Sequence, residues 1–566
     1  MCGLLGFIGA DPPLHLQRGA EFVRRRGPDS MGYWTSADSR AQVYHARLSI
    51  SDLRQIAMQP MSDGPSGLTI AFVGEIYNHL ELRQSLPGPF RTDSDTETLL
   101  QLFARHDTAT LPLLRGMFAL VVVDERRRRV LLIRDPIGKK PLFVLPRPEG
   151  TYFSSSVMAL ASATGQTTID DEAAAKWMEL GHPAPDTSVL KGCRPLLPGE
   201  VLELSWDGAV ISKARAAPAQ ARPITAIPLP DAVDELERLV KNALKRRLSD
   251  NPNPVALLSG GIDSTLVCKY AIECGATRLL LSESRVFKSP DGVYAREAAA
   301  RFGVPLEVVS PRLTNINDSV ARAVSLHDEP LGMIAFVPLA LLSEQASRGS
   351  RVLLTGDGGD EVFGGYGQPS DWWTDAPYQS AVFQSGPNFP DWMSAYGRRA
   401  AGFELVGHGM AKVDRATAEQ ALEARCPLLD WDVQAFVRSL PREIVFCGST
   451  SKPLAKALLR DWPTSFVERK KAGFPFRLRA LWALSMYSGL REAIHPDAIA
   501  RFHDQLPRAL QKPAKRWSMF DIAQNFVDVY KLYVWSAFIR RLAGIDESMR
   551  DQGSSAHDAA GSFVTG

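Results

Sequence analysis

Three groups of residues in this 566-residue chain have types and spacing that suit chemistry. The first is Cys2, in the run Met1-Cys2-Gly3-Leu4-Leu5-Gly6. If an aminopeptidase removes Met1, one residue carries both a thiol and a free α-amine. An unperturbed α-amine titrates at ~7.7–8.0 and a thiol at ~8.5, so base and nucleophile are nearly matched at neutral pH. The second is Leu257-Leu258-Ser259-Gly260-Gly261-Ile262-Asp263-Ser264-Thr265. It reads as a strand, a glycine turn and a helix start. Gly260 and Gly261 leave room for backbone to approach phosphate, and the following N–H groups favour an anion. Ser259, Ser264 and Thr265 add hydroxyls, and Asp263 suits Mg²⁺ bridging phosphate oxygens. The G-K-[ST] ending of a Walker A loop is missing. The third is Thr355-Gly356-Asp357-Gly358-Gly359-Asp360-Glu361, after the apolar run Val352–Leu354. Both glycine elements end strands, and in an open α/β sheet ligands sit beyond the carboxyl ends of strands. Asp263 and Asp360 would then share a metal. Cations opposite a pyrophosphate leaving group would come from Lys452, Lys456 and the Arg469-Lys470-Lys471 cluster.

The elements that must hold these groups change character along the chain. The first ~205 residues read as short strands with sharp turns. Ala119–Asp124 with Val130–Ile133 predicts a hairpin, as does Glu200–Ser205 with Val210–Ser212 around Asp207-Gly208. The Arg126–Arg129 run reads as a solvated turn, since no aromatic interleaves it. Residues 213–230 are rich in Ala and Pro, as in a linker or strap. Asp231–Leu248 has the helical spacing Val233, Leu236, Leu239, Val240, Leu244. Beyond it, Pro254–Leu258, Leu279–Ser282 and Val352–Thr355 read as buried strands with helices between, predicting a parallel sheet covered on both faces.

Composition narrows the function classes. A chain this long implies two or three domains. Hydrophobic residues make up 45% and charged residues 23%, values of a globular protein. A net charge of +2 provides no bulk field for nucleic acid or an anionic membrane. Cys2, Cys193, Cys268, Cys274, Cys426 and Cys447 form no C-x-x-C pair, which argues against a zinc ribbon or disulfide scaffold and for a reducing compartment. No basic n-region precedes the apolar start, and no run approaches the ~18 apolar residues of a membrane span. The expected location is the cytoplasm.

With these residues on the page, the chain resembles the asparagine synthetase B family of glutamine-dependent amidotransferases. The resemblance runs from Cys2 to about Phe476. It rests on Cys2-Gly3, Arg26-Gly27-Pro28-Asp29, Arg47-Leu48-Ser49-Ile50, Gly74-Glu75-Ile76-Tyr77-Asn78, Ser94-Asp95-Thr96-Glu97 and Arg134-Asp135-Pro136-Ile137-Gly138, then on the Ser259–Thr265 loop, which matches S-G-G-x-D-S of the ATP-pyrophosphatases. Thr355–Tyr366, Leu422–Asp430 and Lys471-x-Gly473-Phe474 complete it. The resemblance implies an N-terminal nucleophile hydrolase αββα sandwich over 2–206, a linker over 207–230, a doubly wound ATP-pyrophosphatase domain with a helical C-terminal part over 231–547, and a disordered tail over 548–566. It implies that Cys2 attacks glutamine, with Gly74 in the oxyanion site and Arg47, Leu48, Ser49, Ile50, Val73, Glu75 and Asp95 around the substrate. It implies that Leu258, Ser259, Gly260, Gly261, Asp263, Ser264, Thr265, Ser284, Thr355, Gly356, Lys452 and Lys471 bind ATP, that Asp263 and Asp360 hold Mg²⁺, and that Asp357 serves acyl-adenylate formation. A carboxylate, aspartate by default, is adenylated, and ammonia passed internally displaces AMP. The implied partners are small molecules only, with a homodimer as one option.

Three departures from the family pattern stand out. Val73 stands where an Asn amide usually donates to the oxyanion, and losing one such donor can cost ~10²–10³ in rate. Asp357 stands where Glu is common. Ser156 and Met158, in Phe153–Leu160, replace a Glu and a Lys near the domain junction. These departures keep open a non-aspartate acceptor, such as a sugar uronate or natural-product acid, and a ring-closing ligase with a vestigial glutaminase. A non-enzymatic scaffold is the third reading, opposed by the intact phosphate loop.

Overall fold

The computed structural model describes the chain except residues 14, 216–226, 250–252, 284–288, 311–315, 366–404, 446–450, 470–485, 488 and 562–566, and for 548–561 the backbone alone. Ser284 and Lys471 lie outside the described residues.

Two six-stranded sheets build the N-terminal half. In the first, the strands run Arg194–Pro195, Phe143–Arg147, Gly150–Ser154, Gly3–Gly9, Ala41–Arg47, Ser30–Thr35. In the second they run Val210–Arg215, Glu200–Ser205, Arg129–Arg134, Gly116–Asp124, Leu68–Ile76, Met61–Asp63. Both expected hairpins form, and their neighbours pair antiparallel. The strand Val210–Arg215 belongs to the second sheet, so the segment expected to link the halves from residue 207 starts as sheet.

The strand period of two decides what each side chain meets. Leu4 and Ile8 point between the sheets with Val43, Ala71, Val73, Ala119 and Val121. Leu5 and Phe7 point outward onto the helices Leu16–Arg24 and Val157–Thr164. Phe72, Leu120 and Val122 point outward onto the helix Asp95–His106. The result is a helix–sheet–sheet–helix sandwich. Its helices were not legible from the strand-and-turn reading of the first ~205 residues. Cys2, in phase with Leu4, packs at the edge of the inter-sheet core. Three arginines of the 126–129 turn engage nearby acids, Arg127 and Arg129 with Asp107 and Arg128 with Asp38, and Arg126 donates to the Pro65 carbonyl.

The C-terminal half opens with the helix Leu229–Leu248. Its sheet is parallel throughout, in the order Leu306–Val309, Arg278–Ser282, Val255–Leu257, Val352–Leu354, Glu423–Arg425. The winding reverses between Val255–Leu257 and Val352–Leu354, where a crevice opens at the strand ends. The last helix is continuous from Phe526 to Gly561, so its backbone passes through the start of the segment expected to be disordered. One apolar cluster joins the halves: Leu160 and Trp177 share it with Tyr530 and Trp535. Among the described residues, no helix is long and apolar enough to cross a membrane.

Candidate active sites

The register Gly3↔Ala46 places the chain start beside the end of the neighbouring strand. The half-buried Cys2 thiol receives the Leu48 N–H at 3.4 Å and faces the Leu48 carbonyl at 3.8 Å. Arg26 Nε donates to the Cys2 carbonyl at 3.1 Å, and the same guanidinium pairs with Asp414 of the other half at 2.9 Å, both buried. Burial raises the Cys2 thiol pKa. Burial also pushes the terminal amine, here on Met1, down to about 5. The Met1 side chain is enclosed, with the Lys140 ammonium 2.6 Å from its sulfur.

Arg47, Ser49 and Ile50 line a cavity of about 870 Å³ whose far wall, Ser350 and Arg351, belongs to the other half. The Arg47 guanidinium donates to the carbonyls of Asp52 and Arg54. Asp29 accepts the Ser49 N–H at 2.8 Å and pairs with Arg351 at 3.1 Å. Leu48 is buried against Cys2, and Asp95 accepts the Ile76 N–H at 2.9 Å. Glu75 is paired across the halves with Arg425 at 3.3 Å, and Arg425 also holds Glu423 at 2.8 Å. Val73 is fully buried between the sheets, an apolar side chain with nothing to donate. Gly74 has φ +143°, and a Cβ there would lie 1.8 Å from the Met117 carbonyl oxygen, so only glycine fits.

At the switch point the two glycine elements touch. A Cβ on Gly356 would lie 2.7 Å from the Ser264 nitrogen, and one on Gly359 would lie 2.4 Å from the Asp263 carboxyl carbon. Ser259 and Ser264 share a hydroxyl hydrogen bond of 2.9 Å, and the helix Ile262–Glu273 begins there. Lys452 bridges the two acids: it bonds Asp263 and lies 2.6 Å from Asp360. Burial opposes its charge, but Asp263 and Asp360 hold its pKa above the ordinary lysine value. Two carboxylates converging on one ammonium mark a point that attracts positive charge. Mg²⁺ is usually held by one or two carboxylates with substrate phosphates, so this donor set fits it. Among the described residues no group of three or more metal-ligating side chains gathers. Ser259, Gly261, Asp263, Ser264, Thr355, Gly356, Asp357 and Asp360 line one cavity of about 480 Å³, while Leu258 and Thr265 are buried behind it. Gly260 has φ +84°. Lys456 is turned to Glu468 at 2.6 Å, and Arg469 to Asp291 at 2.9 Å and to the Gly260 carbonyl.

The junction shows what replaces the missing charged pair. Asp328, from the C-terminal half, accepts from the Ser156 hydroxyl at 2.6 Å, the Val157 N–H at 2.6 Å and the Met158 N–H at 3.2 Å. An anion thus caps the helix Val157–Thr164, where the helix dipole favours it. A Glu at 156 would set two carboxylates together, and serine removes that repulsion. Beside it, Glu329 joins Ser188 at 2.7 Å and Arg415 at 2.9 Å. Sequence reasoning missed Asp328, Asp414 and His408, because nothing local marks a partner from the other half, and Lys412, which meets Asp357 only through the fold of its own half.

Comparison with known proteins agrees with this division. Residues 1–214 match a family model described as a glutamine amidotransferase domain, and residues 235–403 and 404–524 match one described as asparagine synthase. A putative glutamine-hydrolysing asparagine synthetase of Mycobacterium tuberculosis is 29% identical over 577 residues, covering 85% of this chain and 88% of that protein. Glutamine-hydrolysing asparagine synthetase 1 of Bacillus subtilis is 27% identical, covering 85% and 87%. Among solved structures, glutamine phosphoribosylpyrophosphate amidotransferase from B. subtilis is 15% identical at a TM-score of 0.30, covering 63% of this chain and 75% of that one. An NH3-dependent NAD synthetase from Campylobacter jejuni is 14% identical at 0.23, covering 51% and 93%. Carrying an N-terminal glutamine amidotransferase domain joined to a synthase domain, the chain belongs to the asparagine synthase family.

Proposed function

We propose that this protein forms an amide from a carboxylic acid, using glutamine as nitrogen donor and ATP to activate the acid. Once Met1 is removed, the Cys2 thiolate attacks the glutamine side-chain amide, its own amine moves the proton, and ammonia leaves a γ-glutamyl thioester for water to cleave. Arg47, turning from the Asp52 and Arg54 carbonyls, would offer a planar fork for the glutamine carboxylate, and Glu75 and Asp95 would be the acids for its amine. At the other end, an acid oxygen bonds to the α-phosphorus, and the bond to the bridging oxygen breaks, its electron pair leaving with pyrophosphate. The ammonia nitrogen then bonds to the acyl carbon, the bond to AMP breaks, and one proton is released. Ser259, Gly261 and Ser264 would cradle phosphate, and Lys452 would meet charge on the leaving group. Mg²⁺, held by Asp263 and Asp360, would neutralise phosphate oxygens. Keeping ammonia neutral in a dry passage prevents its capture as ammonium.

The observation that carries this reading is the meeting of Asp263 and Asp360 on one ammonium at the switch point. The test is acid-stimulated pyrophosphate release, with glutamine and ammonium compared. L-aspartate, the acid implied by the relatives' names, is the first to try. Release of AMP and pyrophosphate with one amide formed per ATP is expected. An ATPase that yields ADP and phosphate would overturn the reading. A second reading, an intramolecular ring closure, is favoured by Val73 alone, and product formation without a nitrogen donor would select it.

A further inference from the structure

The ammonium of Lys452 is held by the same two acids that suit a divalent cation. It bonds Asp263, lies 2.6 Å from Asp360, and belongs to a residue only 7% exposed, so carboxylates rather than water satisfy it. The backbone fixes this contact from both sides. Lys452 has φ +56°, a left-handed conformation that residues with a Cβ seldom adopt, and its carbonyl accepts the Lys456 N–H at 3.0 Å as the helix Pro453–Ala457 begins. Opposite it, the helix Gly359–Phe363 ends and the Gly365 N–H donates back to the Asp360 carbonyl at 2.8 Å. A Cβ on Gly365 would overlap both the Asp360 carboxylate and the Lys452 stem, so main chain packs directly on the pair.

Two carboxylates and one ammonium leave this trio a single net negative charge. A divalent cation held by both acids takes the contacts that Lys452 makes, and two cations at one point repel, so Lys452 must leave. A buried ammonium parted from its acids needs another anion, because an unpaired buried charge is costly. A polyphosphate is such an anion, and a flexible four-carbon stem lets the ammonium turn to it. Ser259, Gly261 and Ser264, at the start of the helix Ile262–Glu273, line the same cavity as Asp263 and Asp360, so phosphate and acids are within one site. We propose, resting on the ligase reading, that Lys452 is a displaceable counter-ion: it keeps Asp263 and Asp360 from a free divalent cation and yields them to one that arrives with the nucleotide's phosphates. Metal and nucleotide therefore load together, and the acids never face each other without a cation between them.

The test is Mn²⁺ binding to the full-length protein, read from the paramagnetic signal of the free ion, with and without an ATP analogue whose α–β bridge is a methylene group. Lys452→Met and Lys452→Gln, each checked for native circular dichroism, are compared with the natural chain. Without the analogue, both variants should bind Mn²⁺ about tenfold or more tightly than the natural chain. Affinity for the analogue should move the opposite way, falling by about tenfold or more, because its phosphates lose a partner. A lysine that only held the fold together would not strengthen metal binding when removed. The natural chain supplies an independent arm: saturating Mn²⁺ without nucleotide should raise reductive methylation of Lys452, read by mass spectrometry, by about tenfold. Variants that bind Mn²⁺ no more tightly than the natural chain, or Lys452 labelling unchanged by bound Mn²⁺, would overturn the proposal and leave the ligase reading standing. A natural chain that binds no analogue, with or without Mn²⁺, would sink both.

Discussion

The two halves build their sites in opposite ways. In the amidotransferase half Cys2 sits at the start of a strand buried on both faces, and the surrounding positions are decided by strand register. In the synthetase half the groups sit on turns and helix starts beyond a parallel sheet, held by contacts between those turns. The difference shows in how each tolerates departure from the family pattern. Val73 lies in a closed core, packed among apolar side chains of both sheets. Ser156 and Met158 lie at the junction, where Asp328 reaches across and caps the helix instead. A core position is answered only by its own side chain, whereas a surface turned toward another domain can be answered from outside.

The sharpest way to break this comparison is to disable each half separately. Cys2→Ala should reduce glutamine-supported synthesis by about 10³-fold or more and leave ammonium-supported synthesis within about twofold. Equal loss of both would refute two separate sites. Asp263→Asn should lower pyrophosphate release by about 10²–10³-fold with either nitrogen source. Retained release would show that the Asp263–Asp360 point is not where the nucleotide phosphates are held.

Smaller effects sharpen it. Val73→Asn restores a donor inside an apolar core. Glutamine cleavage should rise by up to about 10²-fold, while stability falls by about 1–3 kcal/mol from burying an amide. An unchanged rate would mean that another group already serves the oxyanion. Asp328→Ala should cost about 1–2 kcal/mol and raise glutamate released per amide formed, because the junction loosens. Urea titration and product ratios check the two effects separately.

The remaining check is a pH dependence. His45 is fully buried with Nε2 3.0 Å from the Phe72 carbonyl, and burial lowers its pKa to about 4. The unfolded imidazole titrates near ~6.5, so as pH falls the unfolded chain binds the proton first. Stability is therefore complete above about 6.5 and declines by about 3 kcal/mol as pH falls to about 4. Urea midpoints measured across that range should shift less in His45→Gln than in the natural chain.

Much of the fold was legible because strand and helix periods are written locally. Both N-terminal hairpins, the helix Leu229–Leu248 and the glycine loop opening the helix Ile262–Glu273 follow from period and turn residues. The helices of the N-terminal sandwich were less legible. Val157–Thr164 is apolar nearly all round, so it has no periodic stripe to read.

What the sequence by itself determined is local: the two hairpins, the strand–turn–helix that carries Asp263 and the acidic glycine turn that carries Asp357. What only the tertiary structure decided is who meets whom. Arg425 reaches Glu75 across 350 residues, Asp328 reaches Ser156 across 172, and Lys412 reaches Asp357 across 55. The physical reason is that backbone periodicity acts over a few residues, whereas an ion pair or cap depends on distance in space, which is settled only when the chain packs.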